Sequence, residues 1–387
     1  MPGIKTIASV YGGAFLIGLA LVSFPASSSF LKEAHHLSDQ QYGSIFLPQL
    51  VFAIVGALAG GNAVRRLSLK TMYLLALASL ALSQLFLLLS IYVPPGAALL
   101  FIMCGTACFG FGFGFGGGPL NGLASLLFVN QIGTALTTLH MMAGAGLMLG
   151  PLLVSASIAT GSWPAAPASL FIFALLLWLL SRGTELPDQS ISDRRASHSL
   201  PYRESYFQLL MLISVLYALS ESAFSNWAVI FLNEGRNFSM TSSATALAAF
   251  WGGLTLGRLA VSFVVLRIQP RKVWVIFPAL MSLAFLLLPR IETPAGGIAA
   301  FTLAGLACSA FFPLMVAVGS ERYPHSVSWL ASMLTAALMF GVGIGSYAVG
   351  ALVERISLDK IYYLSALYPL AVLAVIIMLR GTRDRPQ

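Results

Sequence analysis

The sequence contains few charged residues and few cysteines. Asp, Glu, Lys and Arg make up only 9% of its 387 residues and hydrophobic residues 58%, whereas soluble proteins carry roughly a quarter charged residues. The three cysteines show no CxxC spacing and no nearby histidine, so neither a disulfide framework nor a zinc site is indicated. HExxH, GxSxG and P-loop patterns are also absent. We therefore expect a polytopic membrane protein that is not an enzyme and holds no metal or cofactor.

Apolar runs of about 20 residues, long enough to cross a bilayer core, follow one another along the chain. Because these runs are continuously apolar rather than alternating, they predict α-helices and not the strands of a barrel. We predict an all-α fold with twelve transmembrane helices, at residues 8–30, 41–64, 70–92, 97–128, 132–157, 163–181, 205–232, 240–266, 273–289, 296–320, 327–353 and 360–379.

A long polar stretch divides the twelve helices into two sets of six. We expect an N-terminal six-helix bundle over 1–181, a linker over 182–204 and a C-terminal six-helix bundle over 205–387. The halves share a weak repeat about 201 positions apart, in which Gly56, Arg66 and Lys70 match Gly257, Arg267 and Arg271. Two related bundles around a midplane site are typical of secondary transporters that work by alternating access.

The basic residues predict the orientation of the chain. With the N-terminus in the cytoplasm, 15 of the 21 Lys and Arg residues fall on the cytoplasmic side and five on the other, and Arg258 lies within a span. This excess predicts that both termini are cytoplasmic, in the cytoplasmic (inner) membrane. Because the net charge of +8 arises from short loops, we expect contacts with membrane lipids rather than nucleic acid. A twelve-helix bundle is complete as a monomer.

The loop between the second and third helices, GNAVRRLSLK, points to a family. Together with the twelve helices and the central linker, it resembles the major facilitator superfamily of transporters over essentially the whole chain. Arg65 stands where the usual pattern G-x-x-x-D-R-x-G-R-R/K has an acid, and Ser68 replaces its second glycine. The resemblance makes this loop a candidate for conformational gating, through Gly61, Arg65, Arg66 and Lys70.

Other segments resemble the fucose-permease-like branch of sugar symporters. They are GFGFGFGGGPLNGL in helix 4, LHMMAGAGLMLGPLL in helix 5, and ESAFSNWAVIFL and FWGGLTLGRLA in helices 7 and 8. The resemblance implies proton-coupled uptake of a small sugar-like or other polar solute. Because GAGLMLGP also resembles a helix 5 motif of antiporters, a proton-antiport exporter of lipophilic drugs or metabolites is the alternative. We expect close, sliding helix contacts at the small residues and proline of helix 5, namely Gly144, Gly146, Gly150 and Pro151.

Three ionisable side chains lie deep within predicted helices, where a charge is costly and therefore indicates function. At about 1.5 Å rise per residue, Glu221 lies about 24 Å from the cytoplasmic end of its helix, and Arg258 and His140 about 12 Å from theirs. Glu221 is a candidate proton-coupling acid, a structural acid or a substrate ligand. His140 is either a proton relay or substrate contact, or a histidine satisfied between helices. Arg258 either binds an anionic group or stabilises a gate, or it bonds carbonyls at a helix end.

Several uncharged side chains are candidates for binding the substrate. Trp251 and Trp227 offer aromatic faces for a sugar ring, and Asn226 offers an amide for its hydroxyl groups. Trp227 has the alternative of an interfacial anchor. Asn121 and Gln49 either contact the substrate or form helix–helix hydrogen bonds.

Overall fold

The computed structural model describes residues 3–63, 66–187, 203–323 and 327–383. The chain forms two compact units, Met1–Arg195 and Ala196–Gln387. Among the described residues, twelve helices are long and apolar enough to cross a bilayer. They are α1 Ile4–Ala26, α2 Asp39–Ala63, α3 Leu69–Tyr92, α4 Pro95–Leu127, α5 Val129–Ala159, α6 Ala165–Arg182, α7 Ser205–Asn226, α8 Met240–Val264, α9 Pro270–Arg290, α10 Pro294–Ser320, α11 Trp329–Val353 and α12 Leu358–Leu379.

The observed helices confirm the predicted fold class. Predicted and observed ends agree to within about four residues, except at the end of α7, which stops at Asn226. Many large apolar side chains are exposed on both units, for example Leu58, Leu176 and Ile377. A surface of this kind suits contact with lipid chains rather than water.

Four spans are interrupted shortly before a proline. The interruptions lie at Ile45 in α2, Val275 in α9, Ser309–Ala310 in α10 and Ala366 in α12. In each case a proline follows within three or four residues, at positions 48, 278, 313 and 369. Proline lacks an N–H group and its ring crowds the preceding turn, so it removes a backbone hydrogen bond and kinks the helix.

Each unit packs its helices in the same pairs. In the first unit α1 packs along α5 and α2 along α4, and in the second α7 packs along α11 and α8 along α10. Glycine makes the α2–α4 and α8–α10 contacts close, because a Cβ on Gly114 would collide with the Ala53 carbonyl and one on Gly305 with the Phe250 carbonyl. Small residues serve helix packing in membranes in this way.

The first helix of each unit ends in a matching way. A short helix, Ser28–His35, follows α1, and another, Ala228–Arg236, follows α7. Each ends at a residue with left-handed backbone, His36 and Asn237, which lie 201 positions apart. A serine N-cap then begins the next span in both units. The repeat predicted from a glycine and two basic residues therefore extends to this corner.

Candidate functional site

Glu221, the predicted coupling acid, shares one face of α7 with Tyr217, four residues earlier. Tyr217 is fully buried. Its ring stacks on Phe311 of α10 with centroids 5.0 Å apart, and its hydroxyl donates to the Cys308 carbonyl at 3.0 Å. Glu221 is half-buried, and its carboxyl group interacts with the Tyr217 hydroxyl and with the charge of Arg258. The acid therefore has one neutral hydrogen-bonding neighbour and one cationic neighbour.

Arg258 of α8 reaches the interruption in α10. Its Nε donates to the Ser309 carbonyl at 2.9 Å. Pro313 has no N–H for the carbonyl four residues before it, so the Ser309 carbonyl accepts from a side chain instead. Gly257 allows the close approach, because a Cβ there would lie 2.5 Å from Ser309 Oγ. A hydrogen bond from a charged donor contributes about 1.5–3 kcal/mol, and a cation is favoured at the end of a helical segment.

Glu221 and Arg258 interact through space rather than as a direct pair. The ion pairs closer than 4.0 Å in the described ranges join other residues. A tight pair with arginine would hold a carboxyl group in its charged form. At a longer distance the arginine favours the charged form less strongly, and Arg258, which is exposed, also donates to α10.

Asn226 and Trp227 lie at the end of α7 and face α11. Asn226 Nδ2 donates to Ser346 Oγ at 2.7 Å, and Trp227 Nε1 donates to the Ser346 carbonyl at 3.2 Å. Both side chains are buried, and Trp227 has no exposed surface, which does not fit the alternative of an interfacial anchor. Their polar groups join α7 to α11, and substrate contact stays a prediction for both residues.

Trp251 of α8 has an unused hydrogen-bond donor. The side chain is 5% exposed, and its Nε1 is buried with no hydrogen-bond partner among the described residues. The ring contacts Phe250 edge to face, with centroids 5.0 Å apart. An unpaired buried N–H is costly, so this indole is the candidate binding residue best suited to donate to a substrate.

Three candidates lie in the first unit. Gln49 is buried in α2, where its backbone carbonyl lies against Gly110 of α4. Asn121 of α4 donates from Nδ2 to the Gly117 carbonyl of its own helix at 2.8 Å. His140 of α5 is exposed rather than enclosed between helices. The roles of these three residues stay predictions.

The loop between α2 and α3 contains one clear structural contact. Lys70 Nζ donates to the carbonyls of Arg182 at 2.9 Å and Thr184 at 2.8 Å, at the end of α6. A cation there satisfies carbonyls that lack helical partners. Arg66 is exposed, and a Cβ on Gly61 would meet nothing within 4 Å. Arg65 lies outside the described residues.

The small residues predicted to mediate close contacts in α5 lie against α1. A Cβ on Gly146 would collide with the Phe15 carbonyl, and one on Gly150 would collide with the Val22 side chain. Gly144 and Pro151 are buried on the same helix. These residues therefore permit tight packing, and their part in gating stays a prediction.

Three residues that make interhelical contacts were not predicted from the sequence, namely Tyr217, Ser309 and Gln84. Gln84 of α3 is fully buried and donates to Ser23 of α1 at 3.2 Å. A usable signal existed for the other two, since Tyr217 precedes Glu221 by one helical turn and Pro313 frees the carbonyl of Ser309. Gln84 offered no comparable signal, because its partner is distant in sequence.

Comparison with known proteins decides the family. The sequence pattern of the Major Facilitator Superfamily matches residues 10–294 and 210–387. The chain belongs to the Major Facilitator Superfamily. It is accordingly an integral membrane protein and a secondary transporter, and not an enzyme, as the sequence predicted.

Relatives and solved structures agree with this assignment. The glucose/mannose transporter GlcP of Bacillus subtilis (strain 168) is 24% identical over 366 residues, covering 88% of this chain and 86% of GlcP. Among solved structures, a variant of the nucleoside transporter NupG matches 97% of this chain and 99% of its own, with a TM-score of 0.79 and 17% identity. FucP, a Major Facilitator Superfamily transporter in the outward conformation, matches 99% of both chains, with a TM-score of 0.66 and 17% identity.

Proposed function

We propose that this transporter takes up a small sugar-like solute together with protons, and that Glu221 is the coupling acid. The observation that carries the proposal is the position of Glu221, half-buried in the interior of α7 beside Tyr217 and the cation Arg258. A carboxyl group in such a place can carry a proton when each side of the membrane reaches it in turn. The similarity to a glucose/mannose transporter supports a sugar as the solute.

Trp251 is the first substrate contact that we propose. Its ring can cover the apolar face of a sugar, and its unpaired indole N–H can donate to a hydroxyl oxygen. Gln49 and Asn121 of the first unit stay candidate substrate ligands through their amide groups. Asn226 and Trp227 would take part only if the solute displaced Ser346 from their polar groups.

The remaining parts of the proposal concern the cell and the cycle. We place the protein in the cytoplasmic (inner) membrane as a monomer with both termini in the cytoplasm, because basic residues concentrate on that side. His140 is the second candidate for carrying protons. The loop through Lys70 and the close α1–α5 contact at Gly146 are the proposed gating elements.

Transport by purified protein in liposomes that contain a pH-sensitive dye tests the coupling. Adding glucose or mannose outside should drive protons inward with wild-type protein, and Glu221→Gln should abolish this flux while counterflow of labelled sugar continues. Glu234→Gln is the matched control, because Glu234 is an exposed carboxylate in the short helix that follows α7. It should leave the proton flux unchanged.

Two outcomes would overturn the proposal. Sugar-driven proton flux that survives Glu221→Gln would remove Glu221 from coupling. Proton flux that responds only to lipophilic cations would indicate the exporter, which the sugar-transporting relative does not favour.

Trp251→Phe separates binding from coupling, since losing the indole N–H should weaken sugar affinity by about tenfold and leave the number of protons per sugar unchanged.

A further inference from the structure

Tyr217 lies between Glu221 and the interruption of α10 with only one proton to donate. Its hydroxyl donates to the Cys308 carbonyl at 3.0 Å. Glu221 lies one helical turn further along the same face of α7, and its carboxyl group is within reach of the Tyr217 hydroxyl. A phenol has one O–H donor. It can therefore bind the carbonyl or a carboxylate strongly, but not both at once.

The Cys308 carbonyl depends on this donor. Cys308 ends the first segment of α10, and the second segment begins at Phe311. Within the described ranges, no backbone N–H outside regular helix bonding donates to the carbonyls of Cys308 or Ser309. Tyr217 and Arg258 are their side-chain donors, so two neighbouring helices hold this point of α10.

The charge of Glu221 decides where Tyr217 donates. A neutral Glu221 has its own O–H, which can donate to the Tyr217 oxygen while Tyr217 donates to Cys308. A charged Glu221 only accepts, and hydrogen bonds to ionised groups are about twice as strong as neutral ones. The charged acid therefore draws the Tyr217 proton away from Cys308. The other charged or titratable groups that interact electrostatically with Glu221 are Arg258 of α8 and the Cys308 thiol of α10.

We propose that Tyr217 transmits the protonation state of Glu221 to the interruption of α10. When Glu221 is neutral, Tyr217 donates to the Cys308 carbonyl and so joins α7 to α10. When Glu221 is charged, Tyr217 donates to the carboxylate and this bond to α10 is lost. The idea rests on the proposed role of Glu221 as a proton carrier and adds the residue through which its charge reaches a neighbouring helix. Discontinuous helices commonly form the substrate and ion sites of transporters. Tyr217 would be a positioning residue at the discontinuity of α10.

Hydrogen exchange of the α10 interruption, read by mass spectrometry, tests this link. Wild type, Glu221→Gln, Tyr217→Phe and the double variant are compared in nanodiscs at about pH 9.5, well above the ordinary glutamate pKa of about 4.3. Glu221→Gln mimics the neutral acid. It should slow exchange across residues 309–314 by about 3- to 10-fold when Tyr217 is present, the effect of one hydrogen bond, and should have no effect when Phe replaces it.

Controls make the comparison decisive. Phe keeps the aromatic stack on Phe311, and peptides from the uninterrupted α4 should exchange alike in all four proteins. An equal effect of Glu221→Gln in both backgrounds, or no effect in either, would overturn the proposal. If Tyr217→Phe does not remain monodisperse, a second measurement uses only wild type and Glu221→Gln. The ratio of their exchange rates is measured at several pH values, because the intrinsic pH dependence of amide exchange is the same in both proteins and cancels in the ratio. A ratio that rises with pH supports the link, and a flat one overturns it.

This test is independent of the transport assays. Exchange is measured without sugar and without a proton gradient, so a different substrate would leave its result intact. Conversely, the loss of sugar-driven proton flux in Glu221→Gln would support the proposed function even if α10 did not respond.

Discussion

The two halves of the molecule share their helix packing but differ in the polar side chains that they carry. Both pack their first helix along their fifth and their second along their fourth, and both turn from the first to the second span at a left-handed residue. In the second half, Tyr217, Glu221 and Arg258 meet an interrupted helix. The positions 201 residues earlier hold Leu16, Ala20 and Ala57.

The fourth helix of each half shows the same contrast. In the first half α4 runs without interruption from Pro95 to Leu127, whereas its counterpart α10 is broken at Ser309–Ala310. Pro119 lies within α4 and does not break it. Pro313 instead follows an interruption of α10 where the carbonyls of Cys308 and Ser309 accept from side chains. The repeated packing therefore supplies stability in both halves, and polar substitutions add the candidate coupling chemistry to one.

The largest loss of stability should come from changes to the close helix contacts that both halves share. Gly114→Val in the first half and Gly305→Val in the second should each prevent recovery of monodisperse protein, because the new Cβ meets a backbone carbonyl that cannot move aside. Gly61→Val, in open space, should be tolerated. Size-exclusion profiles of the three variants check this. If one buried glycine variant is tolerated and the other is not, the α2–α4 and α8–α10 contacts are not equally closely packed.

A smaller effect should be confined to the second half. Arg258→Met removes the donor to the Ser309 carbonyl and should cost about 1–3 kcal/mol of unfolding free energy. Arg267→Met, at an exposed arginine just beyond the same helix, is the matched control and should cost little. Thermal unfolding of both variants provides the measurement. If both variants lose the same unfolding free energy, the hydrogen bond from Arg258 to Ser309 contributes nothing beyond the loss of a positive charge.

The contact between α7 and α11 should be weaker still. Ser346→Ala removes the hydroxyl that receives Asn226, and interhelical hydrogen bonds in membranes average about 0.6 kcal/mol. We expect a small fall in thermal stability and no change in sugar affinity, measured by binding to purified protein. A clear change in affinity would instead place Asn226 at the substrate.

The smallest effect should distinguish the halves by pH. His35 is buried, and burial first, then the neighbouring His36, lowers its pKa below the ordinary 6.5. The unfolded chain therefore takes up a proton that the folded chain resists, so stability should decline as pH falls below 6.5. Wild type should lose more stability than His35→Gln between about pH 7 and 5. The second half has Arg236 at the matching position, paired with Asp359; identical pH curves would contradict the prediction.

The fold was largely predictable because the length and hydrophobicity of the apolar runs are local properties of the sequence. The interruptions were not predicted, although prolines at 48, 278, 313 and 369 carried the signal. Glu221 and Arg258 could be selected because deep charges are rare, but depth alone did not predict that Arg258 would bind the Ser309 carbonyl. Nor could sequence predict that Ser346 would bind both Asn226 and Trp227, since their separation along the chain hides the contact.

The Lys70 contact also has a consequence for biosynthesis. Lys70 and Arg182 lie 112 residues apart, which at about 5–20 residues per second is roughly 6–22 s of translation. In the second half Arg271 meets Glu321 after 50 residues, roughly 3–10 s. The loop between α2 and α3 can thus be fixed only once α6 has been made. A nascent chain can therefore acquire this contact only after the last helix of its first bundle has been made.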